Sequence, residues 1–559
     1  MLAFPQQTKK YIGALFMLIT MHRQISATNL SSLAKNDPYP VYKVIDPQEF
    51  LYTWQTLCMK GIPAENGECC QDVSIAVSPF GQTACSGKNF CGEYTPLGDL
   101  NGRWSMVGLL MGPLPQGKTL PPTLLTALQN LFPGIAPGTL TDPNIIDPNQ
   151  TFGFFSVPLR YNKRGFRWEF ALNLGHNLGF IFQGGLADII QKVQGFDNLT
   201  CLPCPYPSNA TNCRNVLSIP YTTEVDSTTN LPINATQTDV NIPTIVAGTG
   251  TTPPPSYNAL NPLPQVCCDR ICDYRIPCCG RFFSGSGSSV APIAPLTTEY
   301  PSYTTAGVQE YLMNQLQPIA REIGLDICNY HKIGLEDFRF EIFWRRAHMV
   351  NKGRATWAEF LFIPYLEFGG SVALSETRPN QAFAAPLGNN GHNSIGATGG
   401  INFDFVETVE VGAEAGVTHF FPRTFCDLRI PNQMCGRQPG NQCQLGIYPF
   451  TTQACVQPGL NWHFAAKLQA WHFIDRLSFL FQYVLVQHEH DHIRLINPDP
   501  AFAPSVLEAQ SNFTAQLGNI SLYYDISPNL NVGALVQAPL NEKNAYRSTT
   551  VMISLWATF

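Results

Sequence analysis

From Phe166 to Leu174 the chain reads FRWEFALNL, with Phe166, Trp168, Phe170, Leu172 and Leu174 at one parity and Arg167, Glu169, Ala171 and Asn173 at the other. A strand sends successive side chains to opposite faces, so this period of two predicts a ribbon with one apolar and one polar side. FRFEIFWRR at 338–346 repeats it, setting Phe338, Phe340, Ile342 and Trp344 against Arg339, Glu341, Phe343 and Arg345. VEVGAEAGV at 409–417 sets Val409, Val411, Ala413, Ala415 and Val417 against Glu410 and Glu414. The stretch TTVMISLWATF at 549–559 closes with Val551, Ile553, Leu555, Ala557 and Phe559 in the same register.

Extended along the chain, the rhythm predicts twelve strands, near 102–112, 151–161, 165–180, 335–346, 354–368, 393–405, 407–419, 459–471, 476–489, 511–526, 530–540 and 546–559. Alternate connections are brief: 162–164, 347–353, 406, 472–475 and 527–529. The others run long, at 113–150, 181–334, 369–392, 420–458 and 490–510, with 541–545 the short exception. Short turns on one side and long loops on the other are the habit of a closed antiparallel barrel that spans a membrane. Its long apolar rows would face lipid and its few charges a polar lumen. The expectation is therefore an all-β, closed antiparallel transmembrane barrel over residues 102–559. VSIAVSPF at 73–80 also alternates. A thirteenth strand requires a fourteenth by parity, so residues 28–101 are read as a separate N-terminal piece, periplasmic, plugging, or forming an extra hairpin in a 14-stranded variant.

Composition supports a membrane strand protein over the alternatives. Charged residues make up 13% of the chain, about half the ~25% of a soluble domain, yet the mean hydropathy is −0.04. The densest apolar run after the N-terminus, LSFLFQYVLV at 477–486, is interrupted by Ser478 and Gln482 and is too short for a spanning helix. Lys9 and Lys10 precede the apolar stretch YIGALFMLITM, which predicts an export signal cleaved after Ala27, residues 1–27. Removing its three basic residues leaves 31 basic against 40 acidic, a net charge of −9, which gives no support to nucleic-acid binding.

Export fits the cysteines, 18 in all. The disulfide candidates are Cys58, Cys69, Cys70, Cys85, Cys91, Cys201, Cys204, Cys213, Cys267, Cys268, Cys272, Cys278, Cys279, Cys426, Cys435, Cys443 and Cys455, most of them in Pro-, Gly- and Asn-rich connections. CLPC at 201–204 and CCDRICDYRIPCC at 267–279 also fit zinc, a reading that an oxidising compartment disfavours. Helical spacing in VQEYLMNQLQPIAREI (308–323) and PTLLTALQNLF (122–132) predicts short helices in these cysteine-rich extracellular loops. In QHEHDHI (487–493), His488, His490 and His492 would share a face and a metal ion if the strand continues; a polar strand end is the plainer reading. No cofactor is expected, and no Ser, His and acid set singles itself out, so an enzyme is not expected. Asn-x-Ser/Thr sites at Asn29, Asn149, Asn198, Asn209, Asn234, Asn512 and Asn519 keep a secreted cysteine-rich glycoprotein open as an alternative.

The export signal, the alternating segments and Val551, Ile553, Leu555 and Phe559 resemble a bacterial outer-membrane β-barrel protein, and the abundance of exported cysteine resembles the cysteine-rich major outer-membrane proteins and porins of chlamydia-like bacteria. The first resemblance implies that the terminal pattern is read by the outer-membrane assembly machinery, with Ala557 departing from the aromatic often found there. It implies a location in the outer membrane, a lipid bilayer as partner and passive diffusion of small hydrophilic solutes. Arg167, Glu169, Arg339, Glu341, Arg345, Glu410 and Glu414 are then the lumen candidates, and their mixed signs predict weak ion preference. A structural or adhesive envelope protein, cross-linked by disulfides into a homo-oligomer, is the competing expectation.

Overall fold

Twelve antiparallel strands close on themselves in the computed structural model, which describes residues 35–44, 73–89, 92–100, 104–105, 114–122, 124–125, 154–198, 281–282, 316–325, 327–350, 360–375, 382–405, 409–431, 450–527 and 529–559. They are β1 (Val73–Ala84), β2 (Leu159–Gly175), β3 (Leu178–Val193), β4 in two segments (Tyr330–Leu335 and Phe338–Arg345), β5 (Phe360–Val372), β6 (Ser394–Phe405), β7 (Val409–Phe420), β8 (Asn461–Ile474), β9 (Leu477–His488), β10 (Phe513–Ser527), β11 (Leu530–Lys543) and β12 (Thr549–Thr558). Each strand pairs with its neighbour in the chain. The ring shuts where β12 pairs with β1, Val77 opposite Leu555, and Phe559 N donates to Val73 O at 2.9 Å. Closure leaves no wall strand with an unpaired edge.

Outward positions carry the apolar rows. Phe166 and Leu174 on β2, Ile342 and Trp344 on β4, Phe481 on β9 and Ile520, Leu522 and Tyr524 on β10 are all exposed. The outward apolar run of β2, Phe166 to Leu174, matches the ~9–11 residues that a tilted strand needs to cross a bilayer. Inward positions are buried and mix charged and polar side chains, such as Arg167, Glu169 and Glu410, with apolar ones such as Phe80, Val484 and Trp556. The tight turns fall on the side of Val73 and Phe559: His176 and Asn177 both adopt positive φ, 55° and 66°, as a two-residue hairpin of matching twist requires. On the opposite side the long connections build a cap. Trp104 lies 5.6 Å from both Phe155 and Phe383, and Phe155 lies 5.9 Å from Phe196. Helix α1 (Leu316–Glu322) adds Leu316 and Ile319 to that core, and helix α2 (Pro504–Ala509) adds Leu507.

Several boundaries correct the sequence reading. Val73–Ala84 is not part of a separate piece at 28–101; it is wall strand β1. Of the expected strand at 102–112 the described residues are Trp104–Ser105, which pair with Phe154–Ser156 in a small sheet separate from the barrel, and residues 102–103 and 106–112 lie outside the described residues. Strands 151–161 and 165–180, with a turn at 162–164, become one long β2 whose turn comes at 176–177. Within it Lys163 is buried inward and the Arg164 side chain is 72% exposed outward, because past the lipid band the pleat continues while the apolar row need not. The long loop therefore begins after Val193, not at 181. The total of twelve survives only because β1 and β3 replace two misread strands, the one at 102–112 and the one lost when 151–161 and 165–180 merge. Of the expected loop helices, residues 308–315 and most of 122–132 lie outside the described residues.

Between the two segments of β4, Glu336 and Asp337 are both buried. Consecutive residues of a regular strand point to opposite faces, so the interruption is what lets both carboxylates turn away from lipid.

Candidate functional site

The seven sequence-derived lumen residues occupy inward positions on β2, β4 and β7. Glu169, Arg339, Glu341, Arg345 and Glu414 line a cavity of about 390 Å³, which Glu367, His463, Lys467 and Gln482 also line. Arg167 and Glu410 sit buried in the wall. Arg167 forks onto Glu336, Nε to Oε2 at 2.7 Å and Nη2 to Oε1 at 2.9 Å. Glu410 Oε1 is 3.0 Å from Lys467 Nζ and 3.6 Å from Arg345 Nη2. Fixed charges of both signs therefore face one another inside a closed wall, where screening by water is weakest.

The cavity stays open because β6 and β7 present glycine inward. The Tyr365 ring lies against Gly400 and its hydroxyl donates to Glu414 Oε2 at 2.6 Å. The Lys467 stem lies over Gly412, and the His463 ring over Gly416 beside Thr398. A Cβ at Gly416 would stand within 2.8 Å of His463 Nε2, so any larger residue would drive these side chains off the wall and across the lumen. Sequence reasoning named none of Tyr365, Glu367, His463, Lys467 or these glycines. The available signal was the glycine at inward parity in GATGGINFDF and VEVGAEAGV, since a strand glycine often marks close approach.

Residues 35–44 occupy the other side of the lumen. The segment KNDPYPVYKV carries Pro38 and Pro40, which fix φ and favour an extended course. Lys35 O accepts from Tyr546 N at 3.1 Å at the long-loop end. Asp37 Oδ2 meets Arg167 Nη2 at 3.2 Å and Lys163 Nζ at 3.5 Å. Tyr39 O accepts from Gln537 Nε2 at 3.2 Å, Val41 O from Arg167 Nη1 at 2.5 Å, and Val44 N donates to Ser554 Oγ at 3.3 Å. Lys43 Nζ is 2.5 Å from Glu169 Oε1. The Tyr42 ring packs against two guanidinium groups, those of Arg167 at 4.7 Å and Arg339 at 4.5 Å. Burial pushes the Tyr42 hydroxyl up to about 12, so it stays neutral and the attraction is of cation to ring.

The histidine expectation fails for a local reason. Strand β9 ends at His488, whose ring bonds Asn461 Oδ1 at 2.7 Å and Asp491 Oδ1 at 2.8 Å. His490 instead bonds the Glu508 carbonyl at 3.0 Å and His492 is exposed on a separate short strand, so the three imidazoles share no face. No group of three metal-ligating side chains occurs among the described residues. Cys85 and Cys455, expected in disulfides, are free thiols. Cys426 lies on the strand Arg423–Arg429, and the other candidate cysteines lie outside the described residues. Val551, Ile553, Leu555 and Phe559 are exposed in one outward row, with Ala557 half-buried between them.

No protein-family description and no curated protein sequence matches the chain. Among solved structures it is similar to the COG4313 outer membrane channel from Pseudomonas putida F1, at 6% identity over 89% of this chain and 99% of that chain, TM-score 0.36. It is also similar to the translocator domain of the autotransporter NalP from Neisseria meningitidis, at 7% identity over 93% and 100%, TM-score 0.25. A third likeness is to a loop-deletion form of OmpT, an outer membrane protein of Vibrio cholerae, at 8% identity over 87% and 99%, TM-score 0.20. The resemblance to porins of chlamydia-like bacteria finds no support among these likenesses.

Proposed function

We propose that this chain is a channel of the bacterial outer membrane that passes small hydrophilic solutes by diffusion through its lumen. The observation that carries the reading is an inverted distribution of residues. Exposed Phe, Ile, Leu and Trp cover the outside of a closed barrel, whereas ion pairs such as Glu410 with Lys467 and Arg167 with Glu336 are buried inside it. In water that arrangement leaves apolar area uncovered and charge desolvated; around an aqueous path through hydrocarbon it is the stable one.

Transport of this kind needs no covalent step. The solute path we favour follows the β4 to β9 wall, past Arg339, Glu341, Glu367, Glu414 and Lys467, where the cavity lies. Three lysine and arginine side chains on that path (Arg339, Arg345 and Lys467) face three glutamates (Glu341, Glu367 and Glu414), which supports weak ion selectivity with a field directed across the bore. The row ending at Phe559 is, on this reading, the signal to the assembly machinery, and the cap of long connections faces outward from the cell.

Reversal potential in planar bilayers tests it. Arg345 is buried against Glu410, so Arg339, only half-buried, is the cleaner probe. Arg339→Glu is expected to shift the potential toward cations, and Glu367→Gln toward anions. Purified barrel that inserts yet carries no current, or whose potential is unmoved by both changes, overturns the reading.

A further inference from the structure

We propose that the lumen wall formed by β11, β12, β1 and β2 is a peptide-binding groove, and that residues 35–44 are its resident and exchangeable ligand, plugging the channel from within. The proposal rests on the channel reading for its consequence, but the groove stands on separate observations.

The contacts are those of a ligand on a receptor and not of a strand in a sheet. Three backbone groups of the segment, Tyr39 O, Val41 O and Val44 N, are held by wall side chains, those of Gln537, Arg167 and Ser554. No residue of 35–44 joins the ladder. Opposite charges near its two ends, Asp37 and Lys43, meet opposite charges on β2: Arg167 with Lys163, and Glu169. This is main-chain recognition with charge at each end fixing the direction of the peptide.

Each of these charged or hydroxyl groups of the wall also has a partner within the wall. Arg167 and Lys163 keep Glu336, at 2.7 and 2.6 Å. Glu169 Oε2 accepts from Gln183 Nε2 at 2.6 Å. The Ser554 hydroxyl is 2.7 Å from that of Ser78. Withdrawing a structural element normally strands its buried polar partners, at the full desolvation cost. Here departure strands none of these four side chains, each of which keeps a partner in the wall; the donors left to water are Gln537 Nε2, Arg167 Nη1 and Tyr546 N. On the segment's own side, Asp37 and Lys43 regain water when they leave.

Thiol labelling combined with conductance tests the proposal on full-length protein. Ser554→Cys introduces a lumen thiol under Val44, and trypsin cleavage after Arg547 isolates it in a C-terminal peptide with no native cysteine. A charged methanethiosulfonate reagent is expected to label it at least about tenfold faster when Asp37→Asn and Lys43→Gln are added, the equivalent of a plug held about 1.4 kcal/mol less tightly. A synthetic peptide of residues 35–44 should restore protection, and in bilayers it should reduce the extra current that the double variant carries. Heat-modifiable migration confirms folding, and Lys43→Gln alone is the milder variant should the pair not fold. Equal labelling with and without the charge changes overturns the plug, and faster labelling that the peptide does not slow overturns its exchangeability. Peptide-sensitive labelling without any current leaves the groove standing and refutes the channel. Unchanged labelling in a conducting barrel does the reverse.

Discussion

Replacing Ile553 with lysine separates a membrane barrel from a soluble one by sign and size. Ile553 is 54% exposed, sits at the middle of β12, pairs with Ala534 and lies in an outward row between Val551 and Leu555. On a soluble protein a change from exposed isoleucine to lysine falls within about ±0.5 kcal/mol. Facing the middle of a bilayer, the same change costs ~2–4 kcal/mol, and the cost falls to ~0–1 near the interface. Leu540, 53% exposed at the long-loop end of β11 beside Asn541 and Lys543, provides the matched control. Denaturant titrations of wild type, Ile553→Lys and Leu540→Lys folded into vesicles of fixed acyl length, followed by tryptophan emission and heat-modifiable migration, give the three stabilities. The expected order places Ile553→Lys about 2–3 kcal/mol below Leu540→Lys, roughly a 30- to 150-fold change in the folding equilibrium. Two lysines that behave alike, both close to wild type, would mean that the apolar rows do not meet hydrocarbon, and the lumen argument would fall with them.

Further outcomes are expected. Glu336→Gln removes the nearer of the two carboxylates that buried Lys163 and Arg167 share, leaving only Asp37, and should destabilise by about 3–5 kcal/mol, while Asp37→Asn should cost far less; vesicle-folding titrations compare the two. Gly416→Val should lower single-channel conductance by pushing His463 into the lumen, whereas an unchanged conductance with about 1–3 kcal/mol lost would mean the wall took the strain. N-ethylmaleimide should modify exposed Cys85 without prior reduction, read by peptide mass; modification only after reductant would place that thiol in a disulfide. Deleting Phe559 removes its two hydrogen bonds with Val73, about 1–3 kcal/mol at the closing seam, and should reduce the yield of heat-modifiable barrel.

What the sequence by itself determined was which residues face which solvent. Hydrocarbon imposes the same demand on every second residue of every crossing, so the faces of FRWEFALNL or TTVMISLWATF are a local property, and the division into short and long connections follows from chain order alone. That is why the inward parity of the set from Arg167 to Glu414 could be read directly, whereas the total of twelve came out right only because β1 and β3 offset two misread strands. Outside the lipid band that demand lapses. Asn162, Lys163 and Arg164 then look like a turn although β2 runs through them, and Val73–Ala84 looks dispensable until β12 is found beside it. His488 ends its strand because Asp491 and Asn461 hold its ring, a contact that periodicity does not contain. The glycine recesses exist only in relation to the Tyr365, His463 and Lys467 side chains of neighbouring strands. The lumen segment depends on pairings between residues 126, 130 and 510 positions apart; only closure of the barrel brings those partners together, so tertiary structure alone decided what fills the bore.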